Sequence, residues 1–153
     1  MRTLLTAAVI AASITVPAHA KGPIGDAILG VVRGPQPTVD QTLTKLVADV
    51  TKEQGLPKMI DPETRWTSVF TVGKIFGYNY VLTQWNASEL DVNYFVKNMT
   101  PVQMAKCSSA ALQPLFRRGV TVQFNFSGKD GKPIKAWDLT PALCGVTPQG
   151  RPE

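Results

Sequence analysis

The chain has 153 residues, with 16 Lys and Arg against 11 Asp and Glu, one histidine and a net charge of +5 at pH 7. That length suits one domain with a real core and excludes two comfortable ones. The basic surplus is small and scattered, with Arg117-Arg118 its only adjacent pair, so a solvated surface is expected rather than a nucleic-acid or anionic-membrane patch.

Residues 1–20, MRTLLTAAVIAASITVPAHA, have the three parts of a secretory signal. Arg2 is the positive start, Leu4 to Val16 the apolar run, and Ala18-His19-Ala20 the small-x-small cleavage motif. The run is shorter than the roughly 20 apolar residues of a membrane span. Its alanine-rich character is bacterial, and no cysteine stands near the cleavage point to receive a lipid. Cleavage after Ala20 places the protein in the periplasm or outside the cell. It leaves 133 residues, with 15 basic groups against 11 acidic ones, and removes the only histidine.

Residues 21–37, KGPIGDAILGVVRGPQP, carry four glycines and three prolines around a short apolar patch and read as an arm or linker. From Thr38 the spacing of Val39, Leu43, Leu46, Val47 and Val50 predicts an amphipathic helix over 39–54. Thr38 and Gln41 form a capping box, and Gly55 stops the helix. Residues 65–85, RWTSVFTVGKIFGYNYVLTQW, predict a hairpin turning at Gly73-Lys74. Phe76, Tyr78, Tyr80 and Leu82 share one face of its second strand, with Ile75, Asn79, Val81 and Trp85 on the other.

Residues 86–99 fit either a loop or a short helix. Thr100-Pro101-Val102-Gln103 then resembles another capping box with proline at the first helical position, predicting a second helix to Gly119 that is kinked at Pro114. In VTVQFNF, Val120, Val122, Phe124 and Phe126 alternate with polar residues as in a half-buried strand. Asp130-Gly131 marks a turn into IKAWDL, a partner strand. Residues 146–153 read as a flexible tail after a single domain over 38–145.

The expected fold is therefore α+β: helix, hairpin, helix, hairpin, with the helices packed on one face of a four-stranded antiparallel sheet. Cys107 and Cys144 both lie in the exported part, where an oxidising compartment makes a disulfide the default. Without further cysteines or a histidine, neither a metal site nor a reactive thiol pair is expected.

Loss of His19 removes the commonest general base and metal ligand, so histidine-dependent nucleophiles and histidine-containing zinc sites drop out. No glycine-rich phosphate loop is present, and no cofactor is expected. Ser108-Ser109 in KCSSA lacks the spacing of a serine–lysine pair. Asp61 and Glu63, in IDPET, are the best candidates for a paired-carboxylate hydrolase, although acids flanking a turn proline more often cap or solvate it. Asn86, Asn98 and Asn125 head triplets that match glycosylation acceptors, which carry no meaning in a bacterial protein.

The stretches LPKMIDPETRW, FGYNYVL and KCSSAALQPLFRRGVTVQFNFSGKDGKPI, closed by Cys144, together resemble a family of small exported bacterial proteins of uncharacterised function. Its pattern is L-P, D-x-x-T, Y-x-Y, then cysteine, helix, glycine, strand, turn, strand and cysteine. The resemblance covers most of residues 38–145, implies one domain with one disulfide, and transfers no site residue.

The expected function is that of a non-catalytic binding or accessory protein of the bacterial envelope. Its partner would be another protein, through an inhibitor, immunity-type, secretion or pilus accessory role. Tyr78, Tyr80 and Trp85 are the candidate aromatic anchors, each of which could instead fill the core. The rival readings are a histidine-free hydrolase of glycan or peptidoglycan using Asp61 or Glu63, and an electrostatic binder of nucleic acid or anionic polymer. The latter would use Arg117 and Arg118 with Lys129, Lys132 and Lys135.

Overall fold

The computed structural model describes residues 37–149. The expected signal segment, nearly all of the expected arm and residues 150–153 of the tail lie outside them. The first helix, α1 (Val39–Gln54), starts at Thr38, whose hydroxyl accepts from the Gln41 amide while the Gln41 side chain accepts from the Thr38 amide. It ends at Gly55, whose φ of 62° lies in the left-handed region. Leu43 is the residue it buries.

Five strands follow: β1 (Lys58–Met59), β2 (Thr64–Val72), β3 (Ile75–Leu82), β4 (Thr121–Gly128) and β5 (Pro133–Leu139). They form one sheet in the order β1-β2-β3-β4-β5. The pairings are antiparallel except between β3 and β4, which run parallel from Ile75 opposite Thr121 to Leu82 opposite Gly128. This mixed five-stranded sheet replaces the expected four-stranded antiparallel sheet and its helix-hairpin-helix-hairpin plan. The chain between β3 and β4, residues 83–120, is a long helical crossover of the kind a parallel pair requires. Alternation along a strand is the same whichever way its neighbour runs, so the sequence pattern could not separate the two arrangements. The additional strand, β1, is only two residues long, too short to show a period.

The crossover also departs from expectation. Its main helix, α2 (Val92–Ala105), begins eight residues before Thr100, capped by the Asp91 carboxylate accepting from the Tyr94 amide at 3.0 Å. Thr100 stands inside it, donating its hydroxyl to Val96 O at 2.7 Å and accepting from the Trp137 indole at 3.2 Å. Pro101 lies in the interior of α2, and the helix ends at Ala105 rather than running on to Gly119. A short 3-10 turn (Lys106–Ser108) leads to a separate one-turn helix, α3 (Gln113–Arg117), with Pro114 in its first turn. Pro114 therefore helps to begin a helix instead of kinking one, because the first-turn amides need no intrahelical acceptor.

Register places Phe76, Val122 and Leu139 in one row of the sheet and Tyr78, Phe124 and Trp137 in the next, all on one face. These side chains join Leu43 of α1 and Leu112, Leu115 and Phe116 in a single core. A bulge at Thr67 shifts the alternation of β2, so that Trp66 and Val69 both face this core side. On the opposite face the amides form a hydrogen-bonded row. Asn79 Nδ2 donates to Ser68 Oγ, Asn125 Nδ2 to Asn79 Oδ1 and to Gln123 Oε1, and Gln123 Nε2 to Asp138 Oδ1, linking four strands.

Cys107 and Cys144 are disulfide-bonded, with their Cα atoms 5.1 Å apart. The bond ties the turn after α2 to the turn after β5. Residues 146–149 return along the domain, the Gln149 amide donating to Arg117 O at 2.7 Å.

At the end of β4, Gly128 passes under the chain at residues 86 and 87. A Cβ there would lie 2.4 Å from the Ala87 amide nitrogen and 2.6 Å from an Asp130 carboxylate oxygen. The first of these is backbone and cannot swing aside. Gly128→Ala is therefore expected to cost about 1–3 kcal/mol, read as a lower urea midpoint at unchanged slope.

Candidate functional site

The residues singled out in the sequence go to different places. Tyr78 and Tyr80 are absorbed by the core-facing side of the sheet, where their rings stack on Phe124 and Phe126 at 4.9 and 5.0 Å. Burial pushes the Tyr78 phenol up, and the Tyr80 phenol further up, where Tyr78 beside it adds to the effect of burial. Arg117 and Arg118 close α3, ahead of β4, while Lys129 and Lys132 follow the far end of β4 and Lys135 stands on β5 opposite Phe126. The eight-residue strand between Arg118 and Lys129 in the chain is about 25 Å long. Arg118 is engaged with Thr42 Oγ1 at 2.9 Å, Lys129 faces Glu89 and Lys132 faces Asp130. The expected basic patch is therefore split between opposite ends of the sheet.

Trp85 is placed differently. It is 44 % exposed and forms one wall of a cleft of about 490 Å³. Leu82, Leu90 and Phe95 supply an apolar lining, and the turn between β1 and β2 brings Asp61 and Glu63 to the same cleft. Phe95 packs edge-on against Phe126 at 5.5 Å, so the cleft sits on the margin of the core.

Short local bonds hold both walls. Asp61 Oδ1 accepts from the amides of Glu63 and Thr64 at 2.8 and 2.7 Å, closing the turn. Glu63 O accepts from both the amide and the hydroxyl of Thr83, at 2.7 and 3.0 Å, which fastens the turn to the end of β3. Across the cleft, Trp85 O accepts from the Lys129 amide at 2.9 Å, and the Lys129 ammonium donates to Gln84 O at 3.2 Å. Desolvation acts to raise the Asp61 carboxyl, but the amides and the Thr64 hydroxyl outweigh it and hold the group below its ordinary range. Asp61 is thus a fixed negative charge at neutral pH. Among the described residues neither Asp61 nor Glu63 forms an ion pair.

Sequence reasoning had Trp85 and the Asp61/Glu63 pair as belonging to rival readings. The structure puts all three in one cleft, through the pairing of β2 with β3. Leu90 and Phe95 were missed because residues 86–99 showed no clear period; only their apolar character beside Trp85 hinted at a shared surface.

No family model matches the chain, and no curated protein matches it. The fold is shared with a solved structure. A candidate secreted protein from Pseudomonas aeruginosa has a TM-score of 0.56 at 18% identity, covering 71% of this chain and 99% of that one. At that identity the likeness speaks to the fold alone. The pilotin of the Vibrio vulnificus type 2 secretion system gives a TM-score of 0.49 at 15% identity, over 71% of this chain and 94% of that one. That second likeness is too slight to bear on what this chain does.

Proposed function

We propose that this chain is an exported accessory protein of the bacterial envelope that binds another protein through the Trp85 cleft and catalyses no reaction. The observation that carries the reading is the placement of Trp85. Of the three candidate aromatic anchors, it is the exposed one, at 44 %, and it walls an open cleft with its carbonyl bonded to the Lys129 amide, whereas Tyr80, which touches a second depression, has its ring stacked on Phe126. A half-exposed tryptophan beside an apolar lining is a common form of interface anchor. Export is supported by the signal-like first twenty residues and the disulfide, and it accords with the secreted character ascribed to the Pseudomonas structure.

The same cleft holds Asp61 and Glu63, which keeps a carboxylate-dependent glycan hydrolase as the second reading. It is the weaker one, because Asp61 Oδ1 is taken up by the amides of its own turn, which also hold that carboxyl low and unsuited to the acid role. The polymer-binding reading loses support from the separation of the arginines and lysines.

The test is capture of partners from an envelope extract at about 50 and about 300 mM salt, the latter shortening the Debye length to roughly 6 Å. One stoichiometric protein is expected to survive the higher salt. Trp85→Ala is expected to weaken its capture about thirtyfold, as for a central anchor, while the melting temperature stays close to that of the parent. Retention of polymer or nucleic acid only at the lower salt would overturn the proposal, since counterion release makes such binding steeply salt-dependent.

A further inference from the structure

The charge of the cleft points to a more specific partner chemistry. The chain carries net positive charge, yet the polar groups that line this cleft include two carboxylates and no cation. Lys129, the lysine bonded to the backbone on the Trp85 side, is directed to Gln84 O and to the Glu89 carboxylate at 3.8 Å. Asp61 spends Oδ1 on its own turn and keeps its negative charge there, while Glu63 makes no side-chain hydrogen bond among the described residues. The same cleft is lined by the exposed Trp85 and by Leu82, Leu90 and Phe95.

An occupant complementary to all of these features has an apolar stem, a cationic head and a flat or compact shape that can lie on an indole. We infer that the cleft receives an arginine side chain from the partner protein. Its methylenes would cover the leucines and Phe95, its guanidinium would lie against the Trp85 ring, and Asp61 and Glu63 would balance its charge. Arginine suits the site better than lysine, because its planar, weakly hydrated head both stacks on an aromatic face and forks onto carboxylates. The tied walls mean that little order has to be imposed on binding.

This inference rests on the reading of the cleft as a protein interface, and the experiment separates the two. The full exported protein is labelled with nitrogen-15, and the Trp85 indole signal, assigned with Trp85→Phe, is followed while a short acetylated Gly-Arg-Gly amide is added. The control is the same peptide with citrulline, which keeps the shape and loses the charge. Saturable movement of the Trp85 signal is expected, with affinity about three- to tenfold higher for arginine than for citrulline. Asp61→Asn with Glu63→Gln is expected to narrow that difference, leaving only the share that the indole supplies. The asparagine carbonyl can still accept the amides of Glu63 and Thr64, so the turn survives the loss of charge. Equal affinity for the two peptides, or no movement of the Trp85 signal, would overturn the inference. If the envelope partner nevertheless depended on Trp85, the protein-binding reading would stand without it. A partner indifferent to Trp85→Ala would overturn that reading, and with it the ground for this one.

Discussion

Replacing Phe76 by alanine is expected to lower the unfolding free energy by about 3–5 kcal/mol, the cost of losing a buried aromatic ring and leaving a cavity. Phe76 is fully enclosed, at 0% exposure. It lies at the start of β3, opposite Thr71 of β2 and Val122 of β4, and its ring meets Tyr78 edge-on at 5.2 Å. The parallel β3–β4 pair joins the two halves of the sheet, so the site has little freedom to collapse around a smaller residue. Urea denaturation followed by tryptophan fluorescence gives the measure. A loss below about 1 kcal/mol would mean that the neighbouring side chains refill the space, contrary to the close packing described.

Removing the disulfide is expected to have an effect of similar size. The bond joins residues separated by 37 positions. In the chain-entropy account, opening a loop of that length destabilises by about 3–4 kcal/mol. The bonded residues sit in the turns that follow α2 and β5, and the Gln113 side chain donates to Cys107 O at 2.6 Å, so the link also braces the approach to α3. Cys107→Ser with Cys144→Ser should lower the melting temperature by on the order of 15 °C, and reductant should reproduce the loss in the parent protein. Intact-mass analysis of the exported, unreduced protein should show no alkylated thiol. Two alkylated thiols would remove the bond from the account.

The cleft shows how little of a binding site can be read from one segment at a time. Asp61 and Glu63 were visible as acids around a turn proline, and Trp85 as an aromatic at the end of a strand-like run. Neither segment carries a sign that they meet. Their meeting depends on the β2–β3 register, which brings Thr64 opposite Leu82, and on the bonds from Thr83 to Glu63 O. Tyr78 and Tyr80 illustrate the converse. Their spacing fits an exposed aromatic row as well as a core row, and only the neighbouring β4, with Phe124 and Phe126 in matching positions, decides between them.

Local chemistry was sufficient where a structure is held by its own near neighbours. The first helix is specified within its sixteen residues by a reciprocal cap, a periodic apolar face and a left-handed glycine stop. The strand β4 is legible from alternation, β2 and β3 from β-branched and aromatic runs about a glycine turn, β5 from the Asp-Gly turn before it, and the cysteine pair from its compartment. The tertiary structure decided that Thr100 stands inside α2, where its bond to the Trp137 indole prevails over a capping-box sequence, although the Asp91 cap that starts the helix is local. It also decided the parallel pairing at the centre of the sheet. The parallel pairing and the Thr100–Trp137 bond join residues far apart in the chain, whose contacts outweigh local preferences of about 1 kcal/mol or less per residue and leave no mark on the periodicity of either partner.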